Sequence, residues 1–171
     1  MPLIVAGTLP RDGRAAFAAA ILGATPARPW VLIDADGTPP SLDRLGATLR
    51  GGVTPALVTG DRSLRDLVDR LTAGPDALPD DALRRLGVVL VTAPGPDGRP
   101  CVEAAHYLRP TERDGAGHLR RHPPAVLATR DRELDAWEHY AWGVMAELGD
   151  RIDRAPSDLE DRVAGRAVRI A

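Results

Sequence analysis

The stretch Trp30-Val31-Leu32-Ile33-Asp34-Ala35-Asp36-Gly37-Thr38 changes character in mid-run: four apolar residues give way to acids, a glycine and a hydroxyl. Val31 to Ile33 have the short, branched, apolar character of a strand buried on both faces, as strands of parallel sheets are. Ligands of open α/β sheets sit just past the carboxyl ends of such strands. Asp34 and Asp36 lie two apart, so an extended backbone directs both to one side. Two close carboxylates repel unless a cation or a shared proton relieves them, and Mg²⁺, a hard cation that prefers oxygen, does this well. Gly37 lets the backbone approach a ligand, and Thr38 offers a hydroxyl to a phosphate. The plainer alternative makes Asp34 and Asp36 caps of the next helix, ahead of a Pro39-Pro40 turn.

Working outward, Leu3 to Ala6 read as a first strand with Gly7 turning out of it. Asp12 is a fair N-cap for an alanine-rich helix over Arg14 to Leu22, stopped by Gly23. After the Trp30 strand, Ser41 caps a helix with Leu42, Leu45 and Leu49 at helical spacing, stopped by Gly51 and Gly52. Pro55 to Thr59 form a third strand that breaks into Gly60-Asp61. Leu64, Leu67, Val68 and Leu71 follow the i, i+3, i+4, i+7 rule of an amphipathic helix, and Ser63 with Asp66 makes a capping-box-like start. Pro79 opens a short helix whose positive end suits Asp80 and Asp81. Strands alternating with helices imply parallel pairing and right-handed crossovers.

The pattern then changes. Leu86 to Val91 is an apolar strand, Pro94-Gly95-Pro96-Asp97-Gly98 is a turn signal, and Cys101 to Leu108 returns as the antiparallel arm of a hairpin. Pro110 to Pro124 reads as a surface loop and Ala125 to Ala128 as a short strand. From Arg130 onward Leu134, Trp137, Ala141, Val144, Met145, Leu148 and Ile152 fit one face of a long helix with Thr129 as N-cap. The aromatic run Trp137 to Gly143 is the competing strand. Asp158 to Val168 reads as a last helix or a loose tail. The expectation is one α/β domain over residues 1–171. Residues 1–93 supply a mostly parallel, Rossmann-like sheet flanked by helices, and residues 94–171 supply a hairpin, a strand and a long amphipathic helix.

Composition narrows the function classes. The 171 residues are 44% hydrophobic and 27% charged, with a net charge of -2. Both signs are spread along the chain, so there is no electrostatic case for nucleic acid or an anionic membrane. No apolar run is long enough to span a bilayer. Cys101 is the one cysteine, which rules out an internal disulfide and suits a reducing, cytoplasmic setting. There is no Lys, Asn or Gln. That excludes a Schiff-base lysine and a phosphate-loop lysine.

Two family resemblances bear on Asp34 and Asp36. Val31-Leu32-Ile33-Asp34-Ala35-Asp36-Gly37-Thr38 resembles motif one of the haloacid-dehalogenase-like phosphohydrolases, an apolar strand followed by D-x-D-G-T. The resemblance implies Asp34 as nucleophile, Asp36 as general acid and base, and Thr59 as the motif-two hydroxyl. It also implies Mg²⁺ held by Asp34 and Asp36. Gly60-Asp61 with Asp66 resembles the family's late acidic motif, with Asp61 then a metal ligand, as the alternative to the motif-two role of that segment. Residues Leu3 to about Pro96 look like the opening of a MinD/ParA-type partitioning ATPase. Gly7, Gly13 and Arg14 stand where its phosphate loop would be, opening a helix after the first strand. There Arg14 replaces the lysine, Ala15 replaces the Mg²⁺-binding hydroxyl, and the glycine gap is one residue longer. This second resemblance implies a shortened, degenerate relative that binds or regulates rather than hydrolyses.

Other chemistry is thinner. His118 and His122 are four apart, as zinc ligands on a helix are, but Pro123 and Pro124 follow at once. Cys101 with His106 or His139 would be a nucleophile and base, against the commoner role of buried packing. Arg62 and Arg65 are phosphate-reaching candidates or plain surface. Trp137, Tyr140 and Trp142 are the core and rim of one helix or, on the sharper alternative, a face for a protein partner.

Overall fold

The computed structural model describes residues 2–23, 30–36, 39–51, 54–73, 77–78, 82, 85–120 and 122–167. In chain order these form β1 (Leu3–Gly7), α1 (Arg11–Gly23), β2 (Trp30–Asp34), α2 (Pro39–Arg50), β3 (Thr54–Thr59), α3 (Leu64–Thr72), β4 (Val88–Pro94) and β5 (Pro100–Tyr107). Then come β6 (Glu112–Arg113), β7 (Leu119–Arg120), β8 (Ala125–Asp131), β9 (Ala136–His139), a 3-10 turn (Ala141–Val144), α4 (Met145–Ile152) and α5 (Pro156–Ala167).

Seven strands share one sheet in the order β2-β3-β1-β4-β5-β8-β9. β2, β3, β1 and β4 run parallel, while β5, β8 and β9 are antiparallel. The fold is therefore α/β with a mixed sheet flanked by helices. The path from β1 to β2 crosses the sheet one way, and the paths from β2 to β3 and β3 to β4 cross it the other way. Right-handed crossovers then place α1 on one face and α2 with α3 on the opposite face. The core shows this division. Ala18 of α1 is buried among Leu3, Val5, Ala56 and Val58. Leu45, Leu49, Leu67 and Leu71 of α2 and α3 are buried among Ile4, Ile33, Leu57 and Val89. Successive strand residues alternate between the two clusters, as a pleated strand requires.

Ser63 caps α3 as its spacing predicts, with Oγ accepting from the Asp66 amide at 3.1 Å. The turn over Pro94 to Gly98 closes the β4–β5 hairpin, with the Gly95 amide donating to the Arg99 carbonyl at 2.8 Å. Several boundaries differ from the sequence reading: β4 spans Val88–Pro94 and not Leu86 to Val91, β8 runs on to Asp131, and the last helix begins at Pro156. α2 begins at Pro39, ahead of Ser41, because proline suits the first turn of a helix, where no amide partner is needed. α1 begins at Arg11, so Asp12 lies in its first turn and is not its cap. The loop from Pro110 to Pro124 contains the small β6–β7 hairpin. The short helix expected from Pro79, with Asp80 and Asp81, and the stop at Gly52 lie outside the described residues.

The long helix expected from Arg130 does not form. Thr129 lies within β8, and residues 136–139 are the edge strand β9. The cause is local. The Asp131 side chain accepts from the amides of Glu133 (2.8 Å) and Leu134 (3.0 Å), and Asp135 takes a left-handed conformation at φ 49°. This side-chain turn reverses the chain and lets Asp131 pair with Ala136. Only the later part of the apolar stripe reaches the core: Val144 and Leu148 pack with Tyr107, and Met145 is buried too. No helix among the described residues is long and apolar enough to cross a membrane.

Candidate functional site

The acids that the sequence singles out gather at the carboxyl ends of the parallel strands. β1 leads to α1 on one face and its neighbour β3 leads to α3 on the other, so the chain diverges between them. Such divergence points are where open α/β sheets hold ligands. Register sets Ala6 beside Thr59 and Asp34 beside Val58. Asp34, Asp36, Thr59 and Asp61 are thereby brought together, with Arg14 reaching in from α1.

Each acid has its own arginine. Arg11 Nε donates to Asp34 Oδ2, and Asp34 Oδ1 accepts from the Asp36 amide at 3.0 Å. Arg14 Nη2 donates to Asp36 Oδ2, and Asp36 Oδ1 accepts from the Gly60 amide. Arg70 Nε lies 3.1 and 3.0 Å from the two oxygens of Asp61. Thr59 Oγ1 donates to Asp61 Oδ2 at 2.7 Å and accepts from Arg70 Nη2 at 2.6 Å. All six carboxylate oxygens therefore accept from donors of the chain itself. Three positive charges meet three negative ones, so the cluster is neutral as it stands.

Arg14 is the most enclosed member, with 6% of its side chain exposed. Its Nη1 donates to the Gly7 carbonyl at 3.2 Å and also to the Leu9 carbonyl. Its Nε is buried without a partner among the described residues. Burying a guanidinium is expensive unless its charge is matched, and Asp36 supplies the match. Arg70 Nη1 also donates to the Ala35 carbonyl at 3.3 Å, which ties α3 to the end of β2. The cluster thus joins α1, β2, β3 and α3.

Gly7 sits at φ +135°, and a Cβ there would lie 1.8 Å from the Thr92 carbonyl oxygen. Its freedom serves the close approach of β1 to β4, where the Thr8 amide donates to that same oxygen at 3.1 Å. A Cβ at Gly13, in the first turn of α1, would meet nothing closer than 3.9 Å. Gly37 and Thr38 lie outside the described residues. Among the described residues, no three His, Cys, Asp or Glu side chains form a group able to hold a metal ion. As arranged, each oxygen of Asp34, Asp36 and Asp61 accepts from at least one arginine, hydroxyl or amide donor.

The other candidates lie apart. His118 Nδ1 is 3.3 Å from Asp114, whereas His122 Nε2 is 3.2 Å from Glu112, so the two histidines face different acids. Cys101 Sγ accepts from Arg130, which also binds Asp135. His106 Nδ1 is buried without a described partner, and burial pushes its pKa below the ordinary 6.5. Arg65 pairs loosely with Asp69 at 3.7 Å, and Arg62 is exposed. Trp137 (37% exposed), Tyr140 (49%) and Trp142 (60%) stand on β9 and the turn after it. The Tyr140 hydroxyl is bound to Glu138, and that bond raises its pKa.

Sequence reasoning missed Arg11 and Arg70 as the counter-ions. A signal for Arg11 was present: it lies one turn before Arg14, so the two share a helix face at the end of β1. Arg70 had a weaker one, since it flanks the buried Leu67 and Leu71 on the sheet-facing side of α3. No protein-family model matches the chain, and no curated protein matches its sequence at a significant level.

Proposed function

We propose that this chain is a non-catalytic binding or regulatory protein on a degenerate nucleotide-binding, Rossmann-like scaffold. One observation carries the reading: both oxygens of each of Asp34, Asp36 and Asp61 are held by donors of the chain. A carboxylate whose charge an arginine already balances attracts Mg²⁺ less and is a weaker nucleophile. Arg14, standing where a phosphate-loop lysine would be, directs its charge onto Asp36. Positive charge that such a site would take from a cation is here supplied by guanidinium groups. The protein then acts through a protein partner that meets the exposed aromatic side chains of Trp137, Tyr140 and Trp142.

The test is turnover of an aryl phosphate with and without Mg²⁺, beside the Asp34→Asn variant. The expected result is no turnover above buffer in either protein, and no Mg²⁺-dependent change in melting temperature. Mg²⁺-dependent hydrolysis that disappears in Asp34→Asn would overturn the reading in favour of a phosphohydrolase using Asp34 and Asp36. For the partner, a photo-crosslinking amino acid at position 142 in living cells should give one discrete protein adduct. The same group at exposed position 62 should not. Equal labelling at both positions would remove the aromatic face from the proposal.

A further inference from the structure

A cavity of about 120 Å³ opens at the opposite end of the sheet from the acids, between α3 and the segments that flank β5 and β8. Its floor is Val68, Leu71, Leu86 and Leu108, and the three leucines belong to the buried core. Its mouth carries Arg109, Thr111 and His122. Arg109 uses Nε on Glu147 Oε2 at 2.9 Å, its one hydrogen bond to a described residue. A guanidinium has five N–H donors, so the edge bearing Nη1 and Nη2 keeps the fork that matches a carboxylate. His122 is 17% exposed in its side chain and is held at the rim by Glu112.

We propose that this cavity binds a small carboxylic acid with a compact apolar tail, the tail on the leucines and the carboxylate on Arg109. The size sets the tail. An apolar cavity of about 150 Å³ takes a benzene ring, so this one takes a chain of about four carbons. The polarity sets the orientation. The one hydroxyl beside the leucines, that of Thr72, already donates to the Val68 carbonyl at 2.8 Å, so the polar end of the ligand is placed at the mouth, where the guanidinium is. This site does not depend on the non-catalytic reading of the acid cluster, from which it is separated by the length of the sheet.

The experiment is a titration of the full chain, labelled at its leucine and valine methyl groups, with sodium pentanoate followed by NMR. Saturable shifts are expected at Val68, Leu71, Leu86 and Leu108, with a roughly millimolar dissociation constant for so small a ligand. 1-Pentanol is the control for the tail alone and should shift the same methyls. Arg109→Gln should weaken pentanoate about tenfold, the effect of losing one charged hydrogen-bonding partner, and leave 1-pentanol unchanged. Thr111→Trp should plug the mouth and weaken both. Absence of saturable shifts in the parent protein overturns the site. Unchanged pentanoate affinity in a folded Arg109→Gln overturns the role of the guanidinium. If loss of the Glu147 pair unfolds Arg109→Gln, Thr111→Trp decides alone, and undiminished binding there overturns the proposal.

Discussion

In the parallel half of the sheet, β1 to β4, helices cover both faces and the strand ends are closed by matched charges. Val5, Ala6, Ile33 and Val58 are 0 to 1% exposed, and Asp34, Asp36 and Asp61 each face an arginine. In the antiparallel half the sheet ends on β9, all four of whose residues are exposed, and Trp142 beyond it is 60% exposed. The parallel half pairs its acids internally and, among the described residues, exposes one large aromatic side chain, Trp30 at the start of its edge strand β2, whereas the antiparallel edge leaves Trp137, Tyr140 and Trp142 to solvent. On the reading proposed above, recognition belongs to this open edge and not to the closed strand ends. Substitutions at the buried and charge-paired positions of the parallel half should cost stability, while substitutions on the edge should leave the fold unchanged.

The largest effect belongs at Gly7. A valine there would bring its Cβ within 1.8 Å of the Thr92 carbonyl and would also need a φ of +135°. Gly7→Val should destabilise by about 4 kcal/mol or more, read as a collapse of the urea midpoint. Leu67→Ala comes next. Leu67 is fully buried between α3 and the sheet, and the cavity left behind should cost about 3 kcal/mol. Arg14→Met sharpens the electrostatic side of the comparison. It strands Asp36, but Asp36 keeps 31% of its side chain exposed, so water offsets part of the loss. About 2 kcal/mol is expected, below the 3 to 5 of a fully buried pair. The cycle with Asp36→Asn should return a coupling of about 1 kcal/mol, and a value near zero would break the claim that the parallel half neutralises its own acids.

Much of the parallel half was legible because its signals are local. Val31 to Ile33 and Pro55 to Thr59 read directly as strands, and Ser63 with Leu64, Leu67 and Leu71 as a capped helix. Asp34, Asp36, Thr59 and Asp61 were legible as a cluster because strand ends collect at one edge. What they face was not legible, since Arg70 comes nine residues after Asp61 and meets it only when α3 packs back along the sheet. The edge misled for a different reason. Leu134, Trp137 and Ala141 keep a helical period that continues truthfully into Val144 and Leu148, yet the Asp131 side chain diverts the backbone into a hairpin. A single side-chain turn outweighed two helical turns of pattern because β8 offers β9 a full ladder of partners.

His106 stands on β5, the antiparallel strand that borders the parallel half, opposite Val89 of β4, and tests the comparison through pH. Its ring nitrogen is buried without a described partner and its folded pKa lies below 6.5, so the unfolded chain binds the proton more readily. Stability from this group is complete above about pH 6.5 and falls as pH drops from there towards the lower folded value. Urea midpoints should therefore decline on going from pH 7.5 to 5.5, as approximate settings on either side of the ordinary histidine value. His106→Leu should flatten that slope. An unchanged slope would assign it to other groups.

The smallest effect is expected at Trp142, where its smallness is the point. Truncating a tryptophan in a core costs about 3 to 5 kcal/mol, but this ring is 60% exposed and belongs to none of the three buried clusters. Trp142→Ala should change stability by less than about 0.5 kcal/mol. Large apolar side chains do stand on protein surfaces without a function, so stability alone cannot separate an idle tryptophan from a binding one. The separation comes from the crosslinking experiment: an adduct from position 142 with the fold intact assigns the side chain to recognition. A loss of stability comparable to Leu67→Ala would instead make Trp142 part of the core, and the contrast between a closed half and an open edge would fail.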